Sequence, residues 1–161
     1  MRRSALLVAA SFALVLAACG GDDSSSSSDG GGAAITGADS GQTIAVSVGE
    51  NGPDDMYMRL SQESVAAGSV TFVVTNEGQK EHEFLVVKTD TPAGEIPLLT
   101  VPDGEHDVDE EAAGEVIDEI GSVVAGATEE LTVTLEPGHY ALLCNFEGHY
   151  AGGMLADFQV T

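Results

Sequence analysis

Residues 140–154, YALLCNFEGHYAGGM, decide the reading of this 161-residue chain. The stretch opens as an apolar strand and turns into a glycine-rich loop. It sets one thiol, one imidazole and one thioether at C-x4-H-x4-M, on Cys144, His149 and Met154. A soft thiolate, a borderline imidazole and a soft thioether suit copper better than a hard ion. A trigonal copper site needs a second imidazole from elsewhere in the chain. His82 is the candidate, because it opens the apolar run HEFLVVK (82–88) directly after a turn.

Strand parity lets these groups meet. Met154 shares parity with Ala156, Phe158 and Val160, Cys144 with Tyr140 and Leu142, and His82 with Phe84 and Val86. Side chains alternate along a strand, so the three groups can converge at one pole of a domain. His139 is a poor competitor: five residues before Cys144 it lies about 16 Å away along an extended chain and has the opposite parity. It reads as a surface histidine, and His106, among acids, as a solvated one. Met56 and Met58 flank Tyr57 on one face and read as core packing rather than as a second copper site.

Outward from that stretch the chain reads as β structure. Alternation marks 43–48, 69–75, 131–135 and 154–160, and apolar runs mark 82–88 and 139–144. Asn76-Glu77-Gly78 and Pro137-Gly138 are turn signals. Short alternating runs between such turns point to a sandwich or small barrel. The exception is 103–119 (DGEHDVDEEAAGEVIDE), with nine acids and no base. It reads as a solvated excursion between strands, with a short helix as the alternative. It lacks the D-x-D-x-D-G spacing of a calcium loop.

Three features together resemble the cupredoxins, the type 1 blue copper proteins. They are the C-x4-H-x4-M loop, the N-x-G-x3-H pattern of Asn76, Gly78 and His82, and the P-G-x-Y of Pro137, Gly138 and Tyr140. The loop spacing is most similar to that of rusticyanin. The resemblance covers 43–161. It implies an all-β Greek-key sandwich and one type 1 copper. It further implies His82, Cys144 and His149 as equatorial ligands, Met154 as a long axial ligand, and one-electron transfer. One residue departs from the pattern: many blue copper proteins carry Asn or Ser after the first histidine, bracing the thiolate region, and this chain has Glu83.

The N-terminus reads as a targeting segment. Arg2 and Arg3 precede a 12-residue apolar run, 5–16, which is short of the roughly 20 residues a membrane span needs. Leu16-Ala17-Ala18-Cys19-Gly20 resembles a bacterial lipobox. That implies a signal peptide at 1–18, a lipidated Cys19 and a protein anchored outside the cytoplasm on the bacterial cell membrane; several acyl chains hold durably where one does not. Residues 19–42, Gly, Ser and Asp with little apolar content, form a flexible linker to a copper domain at 43–161.

Charge sorts the remaining functions. With 27 acidic against 5 basic side chains the net charge is −22, which excludes a phosphate-backbone partner. Two cysteines rule out a multi-cysteine zinc or four-Cys iron–sulfur centre. Four histidines are too few for a multicopper oxidase, and no other cysteine lies near Cys144 for a dinuclear centre, so no enzyme is expected. The expectation is a monomeric electron carrier, with copper delivery or sequestration on the same ligands as the alternative. Residues 43–161 hold 23 acids against Arg59, Lys80 and Lys88, a net −20, so the expected redox partner is basic, a cytochrome or an oxidase domain.

Overall fold

The computed structural model describes residues 41–99 and 108–161. Two mixed sheets face each other in an all-β Greek-key sandwich. The first runs β2 (Asp55–Leu60), β1 (Gln42–Gly52), β4 (Gly68–Asn76), β7 (Thr128–Leu135). The second runs β3 (Ser64–Val65), β9 (Leu155–Val160), β8 (Gly138–Leu143), β5 (His82–Lys88), β6 (Glu115–Val123). β1 pairs parallel with β4, and β3 parallel with β9; the other pairings are antiparallel.

The first sheet obeys period two. Ile44, Val46 and Val48 of β1 and Val70, Phe72 and Val74 of β4 are buried, and Thr43, Ala45 and Thr71 between them are not. Across the gap Phe72 packs against Phe84 of β5 (ring centroids 5.2 Å apart) and edge-on against Phe158 of β9 (5.4 Å). These three rings join the sheets, tilted as aromatic quadrupoles prefer. Met56 and Met58 lie in this core, as the sequence predicts. Tyr140 donates its hydroxyl to the Glu136 carbonyl (2.9 Å), a tyrosine corner that fixes the entry into β8.

The centre of the second sheet, β5 and β8, is buried on both faces. Leu85 and Val87 of β5 and Ala141 and Leu143 of β8 turn away from the main core into a second one. Ala93 of the 3₁₀ turn Ala93–Glu95, Ile96, Val108, Ala113 and Tyr150 complete it. This explains why FLVV and YALL read as unbroken apolar runs.

The acidic stretch differs from its sequence reading. Residues 103–107, with His106, lie outside the described residues. Beyond them most side chains are exposed, but the chain is tied into the fold, and the short helix of the alternative reading is present. Val108 and Ala113 are buried, 110–113 form a four-residue helix α1 (Glu110–Ala113) capped by Asp109, and 115–119 belong to strand β6. The Asp109 carboxylate accepts from the Ala112 N–H (3.1 Å), the usual N-cap contact. β6 is an edge strand with bulges against β5, so its apolar residues fall out of alternation, and its exposed acids blunt the edge.

Candidate metal centre

Four segments meet at one end of the sandwich. The first is the turn after β4. Asn76 is buried, and its amide donates to the carbonyls of Lys80 (2.7 Å) and Val123 (2.8 Å) while its oxygen accepts from Gly78 N–H (2.9 Å). That knot fixes the chain just before His82, the first residue of β5. The second segment is the end of β8, where Cys144 continues the inward parity of Tyr140 and Leu142. The third is the loop 145–153. It is stitched by His149 N–H to Phe146 O (2.8 Å), Gly152 N–H to Gly148 O (2.9 Å) and Gly153 N–H to Tyr150 O (2.9 Å). Gly148 (φ 74°) and Gly153 (φ 100°) take backbone angles that side chains resist, which is why this loop is glycine-rich. The fourth is Met154, buried, whose N–H donates to His149 O and whose carbonyl accepts from Cys144 N–H, both 3.1 Å.

The result is a cluster of three donor atoms. His82 Nδ1 lies 3.2 Å from His149 Nδ1, Cys144 Sγ lies 3.5 Å from His149 Nδ1, and all three lie within 4.8 Å of one another. Two imidazole nitrogens that far apart could both reach one ion at about 2 Å. His82, Cys144 and Met154 have no exposed surface, and His149 retains 7%.

The electrostatics suit a cation held in a dry pocket. Burial lowers His82 below the ordinary imidazole value against the pull of Glu50, and burial, then the charge of His82, lowers His149. Both rings are therefore neutral and have a lone pair to give. Burial pushes the Cys144 thiol up to about 11, although the N–H groups of Glu83 and Phe146 pull it back. Without a cation the sulfur is a thiol, and metal uptake must expel its proton.

Glu83 resolves the departure noted above. Its N–H donates to Cys144 Sγ (3.2 Å), and its carboxylate accepts from Asn145 N–H (3.0 Å), so the residue after the first histidine braces the segment next to the sulfur. Burial raises the Glu83 carboxyl above the usual range, with the charges of Glu119 and Glu110 adding to it.

No protein-family model matches the chain, and no curated protein sequence does so either. Solved structures do. A reduced auracyanin from Roseiflexus castenholzii is 24% identical over 74% of this chain and 97% of its own, with a TM-score of 0.52. A rusticyanin variant is 19% identical over 76% and 79% (TM-score 0.52), and a second is 18% identical over 76% and 80% (TM-score 0.51). The fold is that of the cupredoxins. On that sandwich His82, Cys144 and His149, three of the four residues named from the sequence, come together within 4.8 Å.

His139 stands apart, as its parity requires: its ring hydrogen-bonds Thr89 O (2.7 Å) and Asp157 (2.8 Å). Tyr150, next to His149, is buried. Its hydroxyl donates to Ala93 O (2.7 Å) and accepts from Ile96 N–H (3.1 Å) inside the second core. One residue at the site escapes sequence reading altogether. Glu50 of β1 reaches His82 Nε2 with its carboxylate (3.3 Å), and no spacing rule links positions 32 residues apart.

Proposed function

We propose that the chain is a one-electron carrier that holds one copper ion on His82, Cys144 and His149, with the Met154 thioether as a weaker fourth donor. It would be tethered outside the cytoplasm through lipidated Cys19. The observation that carries the reading is the convergence of two neutral imidazoles and one sulfur within 4.8 Å, all buried, with only His149 keeping a small exposure. That donor set is soft and borderline, which favours copper over a hard cation. When bound, copper supplies a couple that passes between its two common oxidation states by one electron.

The chain's own residues supply stiffness. Backbone bonds from Met154 to Cys144 and His149 hold three of the four donors in one register. Asn76 anchors the fourth, His82, through its preceding turn. Donors that barely move between oxidation states favour rapid electron exchange. A set drawn from four side chains leaves no open position for a substrate, which argues against an enzyme. His149, with its small exposure, is the natural exit toward a partner.

The tether rests on sequence alone: Cys19, the signal peptide 1–18 and most of the 19–42 linker lie outside the described residues. Among the described residues no helix is long and apolar enough to cross a membrane. Copper delivery on the same ligands is disfavoured by the burial of all four donors, since a delivered ion must be reached by its acceptor. Exchange against a strong chelator separates the two. An electron carrier keeps its copper for hours while cycling between oxidation states, and a delivery protein surrenders it within seconds to minutes.

A further inference from the structure

We infer that Glu50 is a positioning residue for the metal site: its carboxylate takes the N–H of His82 Nε2 and so turns the Nδ1 lone pair toward Cys144 and His149. The inference rests on the copper reading above and adds a residue to it. A carboxylate only accepts hydrogen bonds, so His82 Nε2, 3.3 Å from Glu50 Oε2, must bear a hydrogen. A neutral imidazole with its hydrogen on Nε2 has its lone pair on Nδ1, the atom 3.2 Å from His149 Nδ1. Metal-bound histidines are commonly oriented in this way by a carboxylate on the far nitrogen.

Glu50 is itself held in place. Its other oxygen, Oε1, accepts from Gln79 N–H (2.6 Å) and Lys80 N–H (3.2 Å), so two backbone donors of the turn and the His82 ring converge on one carboxylate. The side chain is only 13% exposed. A bulge in β1 between Glu50 and Gly52 sits beside it, a feature that often aims a side chain at a site. Gly78 provides the space, because a Cβ there would overlap the Glu50 carboxylate. The N-x-G-x3-H pattern thus gains a reason: Asn76 fixes the turn, Gly78 admits Glu50, and Glu50 orients His82. A fixed negative charge behind the ring also favours the more positive, oxidised ion.

Glu50→Gln in the full-length chain tests this. Glutamine has one acceptor oxygen, which the two fixed backbone N–H groups of Gln79 and Lys80 claim. Its NH2 then faces His82 Nε2, which must accept, and the ring hydrogen moves to Nδ1, into the site. Nitrogen-15 NMR of histidine-labelled apoprotein reads this directly. The expected result is hydrogen on His82 Nε2 in the wild type and on Nδ1 in the variant. On copper loading, the variant shifts about tenfold toward the reduced state, about 59 mV for a one-electron couple. Gly78→Ala, which crowds the carboxylate, moves both readouts the same way and serves if Glu50→Gln fails to fold. Hydrogen on His82 Nδ1 in the wild-type apoprotein, or an unchanged ring in both variants, overturns the inference. A chain with the expected ring signature that takes up no copper refutes the copper reading and upholds the Glu50 contact.

Discussion

Burial of Cys144 links the stability of the apoprotein to pH. Its thiol titrates at about 11 in the fold against 9.0 for a free group, because burial disfavours the thiolate. The sign follows from proton counts. Between those values the folded chain binds more protons than the unfolded one, so stability falls as pH rises. Two units correspond to roughly 2 to 3 kcal/mol. The apoprotein is expected to lose about that much between pH 9 and pH 11 in denaturant titrations, and Cys144→Ala apoprotein to lack that loss. Cys144, His149 and Met154 were legible because their spacing is local and their chemistry unusual for one short loop. His82 was legible because it opens a strand after a turn. Glu50 was not, because its role arises from the β1–β4 pairing, a long-range contact with no sequence signature.

At the scale of elements, the segment between β5 and β6 acts on the ligand loop from outside. Tyr150, one residue past His149, anchors its hydroxyl in the second core on Ala93 and Ile96. Asn145, one residue past Cys144, accepts from Val108 N–H (2.6 Å) and donates to Glu110 (2.7 Å). The loop is therefore pinned at both ends by the segment that covers β5 and β8. Tyr150→Phe strands the Ile96 N–H and the Ala93 carbonyl in a buried place, at a cost of about 1–3 kcal/mol. Denaturant unfolding should show that loss, and copper release to a chelator should quicken. Of the nine strands among the described residues, the six with clean alternation or long apolar runs were readable. β2 was hidden by its Asp55 and Arg59, β3 by its two-residue length, and β6 by its acids and bulges. The second core was invisible because its residues, Ala93, Ile96, Val108 and Ala113, are scattered through a segment whose charge dominates its composition.

At the scale of the whole molecule, acids outnumber bases by 20 over residues 43–161, and the ligand loop itself bears only Glu147 between Cys144 and Met154. A field of that size steers cationic partners and is screened beyond a Debye length of about 8 Å in physiological salt. With a basic redox partner, the bimolecular electron-transfer rate should fall steeply as salt is added; a flat or rising curve would leave the surface around His149 alone to govern docking. The central claim is the copper site itself, and the visible absorption of the full-length chain titrated with copper(II) tests it most directly. One equivalent should produce an intense colour from sulfur-to-copper charge transfer, which Cys144→Ser abolishes and Met154→Leu retains. A chain that stays colourless with copper(II) and binds zinc tightly in its place would contradict the account.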